Sequence, residues 1–260
     1  LQVDTIGPAL VRGSTTAGRF LAARHAEIVG DLVVAADLTA LIIADVPDSA
    51  SVRRRAQLLM VSAGRLGKAA ELATGVLESN PGDPLATYTL YVDDMRNERF
   101  EDAFGHAGNV TVAGVNGILV PLLKAWALAG QERTGDAVVE LESMAGEQGL
   151  GAIAGLHQAL IADIGGDIGR AQAAFDFALE KSGERPSLQL VDSYARFLMR
   201  QGDAAQAREL VQRFASQNPE TLLIESGQAV VAGTRDPVRG VATVQQGAAE
   251  VFRNISGLLN

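Results

Sequence analysis

Apolar and small residues recur at helical spacing along most of the chain, and the pattern itself returns every 34 residues. Phe20, Ala23, Ala26 and Ile28 fall on one side of a first predicted helix, which Ser14 to Thr16 can cap and Gly30 ends. Ala35, Leu38, Leu41 and Ile42 make the stripe of a second, spanning about 32–44, which Pro47 stops because proline cannot continue it. Gly64, Ala69 and Pro81 repeat Gly30, Ala35 and Pro47 at the same 34-residue interval, and the alanine comes back as Ala103, Ala137 and Ala171. Each unit therefore reads as helix, tight turn, helix, stop. One hairpin of this kind cannot bury its own apolar face, so neighbouring units must stack.

These offsets resemble the tetratricopeptide repeat, a 34-residue unit with small residues at its eighth, twentieth and twenty-seventh positions and proline at its thirty-second. Residues 16–49 fit with Ala23, Gly30, Ala35 and Pro47, and residues 50–83 with Gly64, Ala69 and Pro81. Residues 84–117 and 118–151 keep Ala103 and Ala137 but carry Glu98 and Glu132 where glycine is usual, and Val115 and Gly149 where proline is usual. Residues 152–185 recover Ala159, Gly166, Ala171 and Ala178, and a sixth unit, shifted by two residues, has Gly202, Ala207 and Pro219. The resemblance covers about residues 16–219 and implies an all-α, right-handed superhelical solenoid of about six helix-turn-helix hairpins plus C-terminal helices. The expected organisation is an extended N-terminal arm over 1–14, the array over 15–219, and C-terminal helices over 220–260 that cap it or begin further repeats.

Three stretches depart from a uniform array. Gly105, Gly108, Asn109 and Gly114 predict a short second helix in the third hairpin and an irregular connection over 105–116. The first helices of the fourth and fifth hairpins, about 118–129 and 152–164, are apolar nearly all round, so each needs cover on more than one side. Neighbouring repeats supply one cover, and something else must supply the other. After a further helix over about 220–232, residues 238–260 carry Val241, Val244, Ala248, Val251, Phe252, Ile255, Leu258 and Leu259 at helical spacing. This segment is the nearest candidate to cover the array.

Composition narrows the partner. A net charge of −9 leaves no basic excess for a nucleic-acid backbone. There is no cysteine, which excludes disulfides, thiolate catalysis and cysteine-based metal sites. No apolar run reaches membrane-spanning length; Ile118 to Gly130 is too short and holds Lys124. The chain begins at Leu1, and its Ala-rich Gly-Asp-x-x-x-Ala turns resemble those of exported bacterial proteins with a cleaved leader. That implies the periplasm, with the cytoplasm as the alternative.

Catalytic patterns are missing. His25, His106 and His157 have no second ligand at helical spacing, so no metal or other cofactor is expected and these read as surface or packed imidazoles. The stretch from Gly64 to Ala69 lacks the first glycine of a phosphate loop, having Ser62 there, and the hydroxyl after its lysine. Asp93, Asp94, Glu101 and Asp102 come without a nucleophile, and Arg53 to Arg55 read as solvated helix surface. No enzyme is expected.

In tetratricopeptide arrays the concave wall is built by the first helices. Carried over by register, the resemblance puts Phe20, Leu58, Tyr88, Val92, Leu122, Trp126, Leu156 and Leu160 on that wall, extended by Met95, Leu119 and Ile153. It also implies no carboxylate clamp, because Leu58, Val92 and Trp126 stand where asparagine is needed. An apolar wall suits a partner protein's amphipathic helix or extended peptide, or the chain's own C-terminal helix. The expected function is a non-catalytic interaction scaffold or adaptor. The alternative is a carrier that encloses a lipid or other small apolar ligand against the same wall.

Overall fold

The turn inside each hairpin is the most regular feature of the computed structural model, which describes residues 15–218 and 225–258. Gly30, Gly64, Gly166 and Gly202 all have positive φ there, and so do Glu98 and Glu132, at 59° and 61°. At every one of these turns the amide following the left-handed residue closes back on the carbonyl five residues earlier. The six bonds run from Asp31 to Ala26, Arg65 to Met60, Arg99 to Asp94, Arg133 to Leu128, Asp167 to Ala162 and Asp203 to Leu198, at 2.8–3.0 Å. This closure satisfies carbonyls that the helix end leaves open. The backbone geometry of the repeat is thus kept even where its glycine is not.

That constancy gives a direct expectation. A side chain in the left-handed region costs about 1–2 kcal/mol, partly offset by the extra freedom glycine brings to the unfolded chain. Glu98→Gly and Glu132→Gly should each raise stability by about 0.5–1 kcal/mol, read from denaturant midpoints. Unchanged or lower midpoints would mean the two glutamates are not strained.

The helices follow from these stops. In chain order they are α1 (Thr16–Ile28), α2 (Leu32–Asp45), α3 (Ala50–Ser62), α4 (Leu66–Ser79), α5 (Pro84–Arg96) and α6 (Phe100–Gly108). Then come α7 (Asn116–Gly130), α8 (Thr134–Glu140), α9 (Glu142–Ala145), α10 (Gly151–Ile164), α11 (Ile168–Ser182), α12 (Leu188–Gln201), α13 (Ala204–Gln217), α14 (Glu225–Val231) and α15 (Val244–Leu258). They pair as six hairpins, the fourth having a broken second helix, and there is no strand among the described residues. The fold is an all-α solenoid. Thr15, Ser49, Asp83 and Ser187 cap the first helices of hairpins one, two, three and six, each side chain accepting from the backbone amide three residues on.

The chain forms two compact units, 1–111 and 112–260. In the first, α1 to α6 pack in sequence, α1 to α4 around Ala26, Ala35, Ala36, Leu59, Met60 and Ala69, and α4 on α5 through Ala73, Val76 and Ala86. α6 ends at Gly108, and residues 109–115 carry no helix. The arginine triplet Arg53 to Arg55 is tied down inside this unit. Arg53 donates to the carbonyls of Pro47 and Gly75, Arg54 pairs with Asp83, and Arg55 pairs with Glu27.

In the second unit, α7 to α13 make three hairpins and α14 packs on α12 and α13. Phe175 stacks on Tyr194 with ring centroids 4.9 Å apart, and Phe197 joins them. The register alanines Ala35, Ala69, Ala103, Ala137, Ala171 and Ala207 are all 0% exposed, so each sits where a larger side chain would part the helices. The arm over 1–14, Pro219 and the expected helical start over 220–224 lie outside the described residues. Helix over the last segment begins at Val244, later than the pattern implies, and 232–243 is irregular.

Candidate functional site

α7 reads NGILVPLLKAWALAG, with no polar side for water. α8 and α10 pack against it, and so does α15, which also packs on α10. The apolar stripe of α15 explains that choice: Gly247, Ala248, Val251 and Ile255 are buried, while Gln246, Ala249 and Arg253 face out. This periodicity is that of one helix face.

Trp126 is at the centre of the contact. It is fully buried, and its indole Nε1 donates to Nδ1 of His157 on α10 at 3.0 Å. The two rings meet edge to face at 83°. The Asn254 amide of α15 lies 3.2 Å from the other imidazole nitrogen, Nε2. Because Nδ1 accepts from the indole, the neutral ring carries its proton on Nε2, and a hydrogen bond there requires the Asn254 amide, whose Nδ2 is the atom at 3.2 Å, to turn its oxygen to the ring. Burial pushes the His157 pKa down to about 3, so the ring is neutral at ordinary pH.

On the same indole, α15 comes down through a glycine. A Cβ on Gly247 would stand 2.2–2.3 Å from three atoms of the six-membered ring of Trp126. The backbone of α15 therefore rests directly on the aromatic face, an approach no other residue type permits without moving the ring or the helix.

Polar ties hold the segment that leads into α15. Arg196 and Arg200 donate to the carbonyls of Val238 and Pro237 at 3.3 and 3.2 Å. Arg200 also pairs with the buried carboxylate of Asp163, and Arg239 reaches the same carboxylate at 3.2 Å and the Asp163 carbonyl at 2.8 Å. Further along, Gln189 donates to Glu250 at 2.8 Å. The acidic group is shared between two guanidinium groups, one from the array and one from the incoming segment.

The residues expected on the wall divide between the two units. In the second, Leu119, Leu122, Trp126, Leu156 and Leu160 are buried and Ile153 is half-buried. In the first, Phe20 and Leu58 are 45% and 44% exposed, Tyr88 and Val92 are half-buried, and Met95 is 2% exposed and part of the packing. Phe20 lines an open apolar cleft of about 490 Å³ with Leu21, Val46 and Val52.

Sequence reasoning named His157 only as a surface or packed imidazole, and did not single out Gly247, Asn254 or the Asp163 carboxylate. The available signal for His157 was its place, one position after Leu156 on the helix next to that of Trp126.

Chemically the site offers apolar surface, one neutral imidazole and one amide, an arrangement for holding a helix. Elsewhere, His106 meets Asp94 at 2.7 Å beside Arg99, within the third hairpin. No group of three or more His, Cys, Asp or Glu that could hold a metal occurs among the described residues. No described helix is long and apolar enough to cross a membrane.

Six hairpins with a common left-handed turn and a buried register alanine define a helical-repeat protein, and the chain has the tetratricopeptide-repeat fold. It is similar to a tetratricopeptide repeat protein from Parabacteroides merdae ATCC 43184, with a TM-score of 0.61 at 12% identity over 93% of this chain and 92% of that one. It is also similar to PilW, described as a widely conserved type IV pilus biogenesis factor, with a TM-score of 0.55 at 14% identity over 81% of this chain and 97% of that one. No family model and no curated protein matches the sequence.

Proposed function

We propose that this chain is a non-catalytic protein-interaction scaffold whose second unit binds an amphipathic helix of a partner protein on the wall made by α7 and α10. The observation that carries this reading is the seating of α15 itself, backbone against the indole of Trp126 at Gly247. A surface that packs a helix this closely has the shape and chemistry of a helix-in-groove site. Leu119, Leu122, Leu156, Leu160 and Ile153 are its proposed apolar lining, and Phe20, Leu58, Tyr88 and Val92 a second apolar patch on the first unit, without the buried Met95. The carrier alternative has less in its favour, since a helix and not an acyl-sized void lies on Trp126. The compartment that goes with this reading is the periplasm, for which the Ala-rich turns argue, while the cysteine-free sequence fits either compartment.

The test is Gly247→Leu in the full chain, which should drive α15 off by collision with Trp126. Amide exchange over 244–258 and hydrophobic-dye binding should rise, Trp126 emission should shift to the red, and helicity of the six hairpins should stay. A synthetic peptide of residues 241–258 should then reverse the dye binding and the red shift. An opened groove that leaves peptide and dye unbound would sink the proposal.

A further inference from the structure

We infer that the groove over Trp126 selects its partner by glycine, accepting a helix with no side chain at the indole, an apolar residue four and eight positions later, and a carboxamide seven positions later. This rests on the helix-binding reading above and names the class of helix the site takes. The template is α15, where Gly247, Val251, Asn254 and Ile255 hold those places.

The glycine requirement comes from the rigidity of the indole. Even alanine would put its Cβ at 2.2 Å from the ring, far inside contact distance. The ring has little room to yield. Trp126 is fully buried, and its Nε1 is fixed on His157, which is itself fully buried and meets Asn254 on its other side. A helix with alanine at the crossing must therefore stand off from the wall, and every apolar contact that follows along it weakens together.

The apolar positions follow from burial. Val251 is fully buried and Ile255 nearly so, one and two turns beyond the crossing on the same face. The carboxamide follows from the imidazole. With Nδ1 accepting from the indole, Nε2 presents a buried N–H, and a helix with leucine at that place leaves it unsatisfied. A lysine there would set a second donor against the first. Selection thus works by exclusion at two points, the indole face and the Nε2 proton, as much as by attraction between them.

The experiment uses the full chain carrying Gly247→Leu and three synthetic peptides of residues 241–258: unchanged, Gly247→Ala and Asn254→Leu. Binding is followed by Trp126 emission. The unchanged peptide is expected to bind about ten-fold or more tightly than the alanine peptide, and the leucine peptide to lose several-fold.

Equal binding of all three peptides to the Gly247→Leu chain would overturn the glycine rule while leaving the helix-binding reading in place. Failure of every peptide to bind a folded chain would remove both. Should Gly247→Leu not fold, the peptides are given in excess to the unmodified chain, and displacement is read as faster amide exchange of its own residues 244–258. The same ranking supports the rule, and displacement without ranking overturns it.

Discussion

Replacing Trp126 with alanine is expected to destabilise the second unit by about 3–5 kcal/mol, the usual range for emptying a buried aromatic site. From the register alone, Trp126 reads as a groove residue whose loss weakens binding by about 2 kcal/mol and leaves the array folded. Its full burial changes the balance. Truncation removes the ring from between α7, α10 and α15, and leaves Nδ1 of His157 without its donor. An unsatisfied buried acceptor adds about 1–3 kcal/mol to the lost packing, and the two costs overlap because they share one cavity.

The measurement is chemical denaturation, with amide exchange over 244–258 to show whether α15 opens first. A pair of variants makes the assignment firm. Gly247→Leu should be damaging beside the intact indole and much less so in a Trp126→Ala chain, where the ring it collides with is gone. Additive losses in the double variant would mean the two residues do not act on each other. A Trp126→Ala chain with unchanged stability and unchanged exchange would contradict the packing described above.

What the sequence makes legible is what local sterics enforce. Ala35 and its counterparts at 34-residue intervals are read easily because each occupies a helix crossing with room for one methyl group. The turn is legible through Gly30, Gly64, Gly166 and Gly202. It is invisible at Glu98 and Glu132, where the backbone adopts the same left-handed conformation against residue preference. The apolar surplus of α7 and α10 tells that a second cover is needed, and the spacing over 241–259 offers one.

The candidate site was less legible, for a physical reason. Gly247 inside a helical pattern reads as a cost to that helix, because propensity is a property of one segment. Its use appears only when the indole of Trp126, over a hundred residues earlier, is placed against it. His157 and Asn254 likewise gain meaning only as a pair across two helices, and neither has a sequence neighbour that announces it. The Arg triplet is the easier case: Arg53, Arg54 and Arg55 read as helix surface, and they have separate partners around α3.

Acid is expected to release α15. The His157 pKa falls from its ordinary value to about 3 because burial disfavours the imidazolium, so the folded state holds the ring neutral. In the opened or unfolded chain the ring titrates near its ordinary value of about 6.5. The docked state therefore has its full stability above about pH 6.5 and loses roughly 1.4 kcal/mol for each pH unit below it, down to about pH 3. Between pH 7 and 5 the loss is about 2 kcal/mol, in a window above the ordinary carboxylate range. The described partners of the ring, Trp126 and Asn254, are neutral and offer the imidazolium no compensating charge. Amide exchange over 244–258, corrected for its intrinsic pH dependence, should show opening that grows as pH falls through this window, with a red shift of Trp126 emission. His157→Gln supplies an acceptor for the indole and a donor for Asn254 without titrating, so its opening should stay flat over the same range. An unmodified chain that opens no more at pH 5 than at pH 7, or a His157→Gln chain with an identical slope, would show that His157 does not set the acid response.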